Sequence, residues 1–293
     1  MSAGSRIVVL GGGTMGRGIA AAALASGFTT TVVDIEQAAL EAAGKAIAHR
    51  LERDLDAAHA GERLNELELS SDLDVAVGGA TAVIEAVPEV VTLKLDLFAR
   101  LGAAAPPEAL LATNTSTMSV SRLAEACGSS PRVIGMHFFN PVHRMALVEI
   151  VVAPTTSEAT VHDALALAAA LGKDPIVVKD VPGFVTSRLG LLLGNEAMRM
   201  VEDGVATPAD IDKAMRLGYR HPMGPLELAD LVGLDARLNN VRSMYEQSGL
   251  EQYRPPAILE RLVAEGRLGR KTGTGFYRYG EDGAPLEPAE DLV

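Results

Sequence analysis

The chain has 293 residues, 48% of them hydrophobic, which is ample for one large core or two ordinary ones and too apolar for a disordered protein. Its 38 acidic and 26 basic residues leave a formal net charge of −12, so the average surface repels nucleic acid and anionic membranes, and an anionic ligand needs a local basic patch. One cysteine, Cys127, excludes an internal disulfide framework and fits a reducing compartment. The six histidines show no ligand pair at helical spacing with a partner carboxylate, so no metal site is expected. A short polar lead runs straight into Arg6-Ile7-Val8-Val9-Leu10 without the pattern of a leader peptide, and no apolar run reaches the ~20 residues of a membrane span. A cytoplasmic protein is the expectation.

In chain order, the first strand is predicted at Ile7–Leu10, followed by a glycine turn and a helix to about Ser26, then a strand at Thr29–Asp34. Further strands are predicted at Ala82–Val87, Leu110–Thr113, Val133–Met136, Leu147–Val152 and Ile176–Val178, with Ala- and Leu-rich helical stretches between most of them. That alternation predicts an α/β domain built on a doubly wound, mostly parallel sheet. Leu147–Val152 follows Val133–Met136 too closely for a helical crossover, so this pair is expected to be antiparallel. Beyond Pro182-Gly183 the pattern turns helical, with segments at Phe184–Asp203, Pro208–Leu217, Pro225–Gln247 and Pro256–Glu265, and the end after Tyr279 reads as a polar tail. The expected division is a dinucleotide-binding Rossmann-type domain over residues 1–183 and an all-helical C-terminal domain over 184–293.

Gly11-Gly12-Gly13-Thr14-Met15-Gly16 lies between the first strand and its helix, the context in which glycine spacing acquires meaning. Gly11 permits the tight turn, Gly13 lets backbone approach a pyrophosphate, and Gly16 allows close helix–strand packing, while the helix start at Thr14 and Met15 faces the phosphates. Asp34, at the end of the second strand, is placed to accept both ribose hydroxyls. Ile35-Glu36-Gln37 offers no arginine for a 2′-phosphate, which favours NAD over NADP.

His137 ends a predicted strand at the carboxyl edge of the sheet, where open α/β folds place their chemistry, and a histidine can trade a proton with an alcohol near neutral pH. Glu149 falls inside the apolar strand Leu147–Val152, where a carboxylate is costly unless paired. A return strand brings it beside His137, and the two read together as an acid–base dyad.

With these residues in hand, the chain resembles the 3-hydroxyacyl-CoA dehydrogenases, in particular the bacterial 3-hydroxybutyryl-CoA dehydrogenase type. The resemblance covers nearly the whole length. It rests on Gly11–Gly16, Glu85-Ala86-Val87-Pro88-Glu89, Asn114-Thr115-Ser116, His137–Val142 with Glu149, Pro182-Gly183-Phe184, His221-Pro222-Met223-Gly224-Pro225 and Gly269-Arg270-Lys271-Thr272-Gly273 leading to Gly275-Phe276-Tyr277. It implies reversible, NAD-dependent oxidation of a (3S)-3-hydroxyacyl-CoA, with His137 as acid–base and Glu149 as its partner. Ser116 then hydrogen-bonds the reacting oxygen, Asn114 lies at the nicotinamide end, and Glu89 and Lys94 are polar cofactor contacts. It also implies an acyl-CoA in a cleft that the helical domain closes, and a homodimer formed through that domain.

Two departures stand out. The family's catalytic asparagine falls here on Ser187, a shorter hydroxyl, and Asn195 lies too far along the same predicted helix to replace it. His143-Arg144 and Ala146 stand where many relatives have apolar residues and a lysine, leaving chain-length preference open. Arg50 and Arg53 are candidates for the CoA phosphates, although ordinary exposed helix charges are the plainer reading, as for Arg144. The same chemistry on a carrier-protein-bound acyl group or a free hydroxy acid is an alternative, as is a non-catalytic NAD-binding protein. The β-hydroxyacid dehydrogenase type is disfavoured, because Phe184–Asp203 lacks its lysine.

Overall fold

The computed structural model describes residues 4–128, 130–289 and 292. Two compact units meet in the chain between Phe184 and Val185. In the first, the elements run β1 (Arg6–Leu10), α1 (Thr14–Ala25), β2 (Thr29–Val33), α2 (Gln37–Asp54), α3 (Ala57–Leu64), β3 (Leu67–Ser70), α4 (Leu73–Val77), β4 (Ala82–Glu85) and α5 (Val91–Ala104). They continue with β5 (Leu110–Thr113), α6 (Val120–Cys127), β6 (Val133–Phe138), β7 (Leu147–Val152), α7 (Glu158–Ala170) and β8 (Asp174–Lys179). The eight strands form one sheet in the order β3-β2-β1-β4-β5-β6-β7-β8. Strands from β3 to β6 are parallel neighbours, β7 runs antiparallel to β6, and β8 runs parallel to β7.

Alternation along β1 divides the core. Ile7 and Val9 face one side with Ile19, Leu24 and Ile47, whereas Val8 and Leu10 face the other with Phe98, Leu101 and Leu123. Both faces of the sheet are covered, as a parallel sheet requires. From β1 the chain builds outward through β2 and β3, then crosses back to lay β4 on the other side of β1. The carboxyl ends of β1 and β4 therefore flank the reversal of strand order, the crevice where such sheets bind ligands.

β3 was not among the predicted strands. It is a half-exposed strand beside β2, and its apolar and charged residues alternate too briefly to signal strongly against the neighbouring helices.

The second unit carries α8 (Thr186–Glu202), α9 (Pro208–Tyr219), α10 (Pro225–Val232), α11 (Leu234–Ser248), α12 (Ala257–Ala264), β9 (Tyr277–Tyr279) and β10 (Pro285–Pro288). Met198, Leu226, Val241, Leu259 and Phe276 are fully buried in its core. Two expectations are corrected. The single helix Pro225–Gln247 is two helices, because Gly233 takes φ +99°, a conformation that ends α10 and that other residues rarely adopt. The segment after Tyr279 is not a free polar tail: β10 pairs with β9, and Ala289 and Leu292 are buried. Among the described residues no helix is long and apolar enough to cross a membrane.

Asp212 and Asp230 hold this unit together. Asp212 accepts the N–H groups of Leu226 and Glu227 at 2.9 Å each, capping α10, and the hydroxyl of Tyr277 at 2.9 Å. Asp230, fully buried, accepts the N–H groups of Phe276 and Tyr277 and the Tyr279 hydroxyl, each at 3.0 Å. Burial raises Asp230 to about 6 and the nearby Asp212 adds to this, against the opposing pull of those three donors. A folded-state value above the unfolded one gives stability that is full at low pH and is lost as pH rises through about 6. Asp230→Ala strands two buried N–H groups and is expected to destabilise this unit throughout. In denaturant unfolding, the difference between wild type and variant should be larger near pH 4 than near pH 8, by on the order of 3 kcal/mol. A difference that grows toward high pH would refute the assignment.

Candidate active site

The glycine turn leaves β1 with Gly11 at φ +103°, and the Gly11 N–H donates to the Val33 carbonyl at 2.7 Å. A Cβ on Gly11 would sit 2.8 Å from the Ala86 carbonyl oxygen, and one on Gly16 only 1.8 Å from the Gly11 carbonyl oxygen. Both positions are therefore closed to a side chain. Gly13, the N-cap of α1, differs: a Cβ there would meet nothing within 4 Å. Its open side, beside the free N–H groups at the helix start of Thr14 and Met15, is shaped for a pyrophosphate.

Asp34 follows β2 with one oxygen accepting the Gly12 N–H at 2.7 Å and the other the Glu36 N–H at 3.0 Å. The carboxylate is fixed in place, and each oxygen retains lone pairs for a ribose hydroxyl. The adjoining Ile35 is 85% exposed and no cation follows Asp34 directly, so the residues present fit NAD.

At the far side of the sheet, the antiparallel register sets His137 directly opposite Glu149. Their side chains meet at 2.7 Å, Nδ1 to Oε2, with Glu149 fully buried and His137 nearly so. Engaging Nδ1 fixes the ring and leaves Nε2 as the nitrogen available to a substrate. The ring packs between Phe139 and Phe184, at centroid distances of 4.6 and 5.9 Å. Asn114 ties the neighbouring strand end to this one: its Oδ1 accepts the Phe138 N–H at 2.8 Å. Ser116 lies two residues on in the same turn, half-buried.

Glu89 stands exposed just before α5, whereas Lys94 on its first turn is buried. Lys94 is 1% exposed, its ammonium held between Glu85 at 2.8 Å and Glu89 at 2.9 Å. Glu85 was visible only as part of a motif, although an acid within an apolar strand is the signal that singled out Glu149. Ser187 stands in the first turn of α8, in the second unit, half-buried. Asn195 is fully buried on the same helix.

A cavity of about 380 Å³ opens on the first unit, and its lining includes Arg17, Arg50, Asn140, His143 and Lys173. Lys173 donates to the carbonyls of Val142 and Met145, pinning the loop that carries His143 and Arg144. Slight burial, then the charges of Arg50, Arg144, Arg53 and Lys173, hold the His143 imidazole below its ordinary value. On a chain of net charge −12 these cations make a local basic patch, with Asp54 the acid in the same cavity lining. Arg50 also pairs with Asp54.

A glycine turn followed by a fixed carboxylate, at the strand-order reversal of a doubly wound sheet, is the arrangement of a dinucleotide-binding domain. Comparison with known proteins narrows this. Residues 6–181 match the family model described as "3-hydroxyacyl-CoA dehydrogenase, NAD binding domain", and residues 183–279 match "3-hydroxyacyl-CoA dehydrogenase, C-terminal domain". A probable 3-hydroxybutyryl-CoA dehydrogenase of Bacillus subtilis is 41% identical over 281 residues, covering 94% of this chain and 98% of the relative. The crystal structure of (S)-3-hydroxybutyryl-CoA dehydrogenase from Ralstonia eutropha superimposes with a TM-score of 0.90 at 38% identity, over 94% of this chain and 99% of that one. A diketoreductase structure does so with a TM-score of 0.83 at 34% identity, over 95% and 100%. The chain belongs to the 3-hydroxyacyl-CoA dehydrogenase family, NAD-dependent oxidoreductases.

The turn gives a direct test. Gly16→Ala should prevent stable folding of the first unit, whereas Gly13→Ala should keep the wild-type melting temperature and weaken NADH binding by about tenfold, read by fluorescence titration. Unchanged NADH affinity in Gly13→Ala would move the pyrophosphate away from this turn.

Proposed function

We propose that the protein catalyses the reversible oxidation of a short-chain (3S)-3-hydroxyacyl-CoA, of the 3-hydroxybutyryl-CoA type, to the 3-oxoacyl-CoA. The observation that carries this reading is the buried His137–Glu149 pair in a family that oxidises hydroxyacyl-CoA. NAD, when bound, supplies the hydride acceptor for carbon 3. His137 takes the hydroxyl proton on Nε2 as the carbon–oxygen bond becomes a carbonyl, and returns it in the reverse direction. Glu149 holds Nδ1 and balances the imidazolium charge that results. Ser116 steadies the reacting oxygen, and Ser187 supplies a further hydroxyl in the position where the family carries an asparagine. Gly11, Gly13, Thr14, Met15, Gly16 and Asp34 hold the dinucleotide, with Asn114 toward its nicotinamide end.

Arg50, with Lys173 beside the same cavity, suits the phosphates of CoA, and this favours a CoA thioester over an uncharged or free-acid substrate. A free carbonyl compound is the second reading, supported by the similarity to a diketoreductase. Largely exposed Leu217 and Tyr219 on α9 further support pairing of two copies through the helical unit.

His137→Ala is expected to slow NADH oxidation with acetoacetyl-CoA by about 10²–10⁴-fold, and Glu149→Gln to lose activity in the same direction. Equal rates in wild type and His137→Ala would remove this mechanism. Arg50→Ala should raise KM for acetoacetyl-CoA by about tenfold with kcat at saturation retained, and added salt should raise KM more in wild type than in the variant. An unchanged KM would shift the balance to the carrier-free reading. Tyr219→Glu should convert a dimer to a monomer in sedimentation; a dimer unaffected by it would place the interface elsewhere.

A further inference from the structure

Ser116 is half-buried in the turn 115–117, which carries no regular secondary structure, and hydrogen bonds hold it together with the buried Thr115 and Met118 on either side. Those bonds converge on one atom. Oε1 of Glu89 accepts from the Thr115 hydroxyl, from the Ser116 and Thr117 N–H groups at 3.3 Å each, and from the Thr117 hydroxyl at 3.1 Å. The Thr115 hydroxyl oxygen in turn accepts the N–H groups of Thr117 and Met118 at 3.3 and 2.9 Å.

Glu89 is itself anchored. Its Oε2 meets the Lys94 ammonium at 2.9 Å, and Lys94 is fixed from behind by both oxygens of Glu85, at 2.8 and 3.0 Å. Glu85 is fully buried at the end of β4, where it also accepts the Val87 N–H at 2.8 Å and the Thr113 hydroxyl at 2.7 Å. Burial works against the charge of Glu89, but Lys94 and the hydroxyls of Thr115 and Thr117 outweigh it and hold the carboxyl below its ordinary value. The other end of the segment is held by Asp180, which accepts from Ser119, Val120 and Ser121 at 2.7 to 3.0 Å and so caps α6.

We propose that Glu89 is a positioning residue for Ser116, fixing the 115–117 turn from a buried Glu85–Lys94 base, and that it serves the reaction through that turn more than through the cofactor. The inference rests on the reading of Ser116 as the hydroxyl that steadies the reacting oxygen. A buried ammonium between two carboxylates is costly to assemble and tolerates little displacement, which makes it a stiff support for a turn that packs through Thr115 and Met118 but leaves Ser116 and Thr117 only half-buried. It also accounts for the burial of Lys94, which a cofactor contact reaching from a helix surface does not need.

The test uses the full chain as wild type, Glu89→Gln, Glu89→Ala, Ser116→Ala and the double variant Glu89→Ala/Ser116→Ala. Three quantities are read: amide exchange across residues 115–117, kcat with acetoacetyl-CoA at saturating NADH, and the NADH Kd without substrate. Positioning predicts that Glu89→Ala speeds exchange at Ser116 and Thr117 by about tenfold or more. It should lower kcat to within about threefold of Ser116→Ala while NADH Kd moves by less than about threefold, and the double variant should be no slower than Ser116→Ala alone. Glu89→Gln, which keeps an acceptor oxygen and is the milder change for folding, should fall between wild type and Glu89→Ala. Unchanged exchange, losses that multiply in the double variant, or a defect confined to NADH binding would overturn the proposal while leaving the role of Ser116 intact. A wild-type kcat in Ser116→Ala would instead bring down the underlying reading of Ser116, and the proposal with it.

Discussion

A carboxylate withdrawn from water must be compensated where it stands, and in the first unit that demand falls on Glu149, within β7, and Glu85, at the end of β4, both fully buried. Each is answered by a cation-forming partner from another element: His137 across the β6–β7 ladder, and Lys94 from α5. The site is organised by these two requirements. The reversal of β7 against β6 is what allows the first, because a parallel neighbour needs a long crossover whereas an antiparallel one can return at once into register. Between the two pairs, Asn114 and the 115–117 turn join the strand ends through hydrogen bonds to Phe138 and Glu89.

Much of this architecture was legible in the residues. Gly11, Gly16 and Asp34 stand at spacings whose steric meaning is local, so the turn could be read without knowing the rest of the fold. The His137–Glu149 pairing was legible for a related reason: twelve residues is a short return, and an acid in an apolar strand has to be paired with something nearby. The strands Leu110–Thr113 and Leu147–Val152 have the predicted bounds, since β-branched and leucine runs bounded by turns leave little choice.

What escaped the sequence depended on distance. Lys94 read in the sequence only as a polar cofactor contact, because the acid that buries it, Glu85, belongs to a strand and the two meet only when α5 packs on the sheet. Arg50 looked like an ordinary helix charge, and only the fold sets it beside Lys173, more than a hundred residues later, at one cavity. Gly233 was read through as helix, since glycine within a helical pattern is often tolerated and only its positive φ marks the break. β10 was missed because its composition is that of a solvated end, while its pairing with β9 is a tertiary fact.

The clamp at Asp230 has a consequence for how the chain is made. Every strand of the first unit's sheet is present once Lys179 has been synthesised, so that sheet can close while the remainder is still being translated. The helical unit has no such freedom. Phe276 fills its core and donates to a carboxylate 46 residues upstream, so neither that core nor the Asp230 clamp is complete until residues 276 to 279 emerge. The unit that carries Ser187 can thus fill its core only at the end of synthesis, and a chain stalled before Phe276 leaves that core without its aromatic centre.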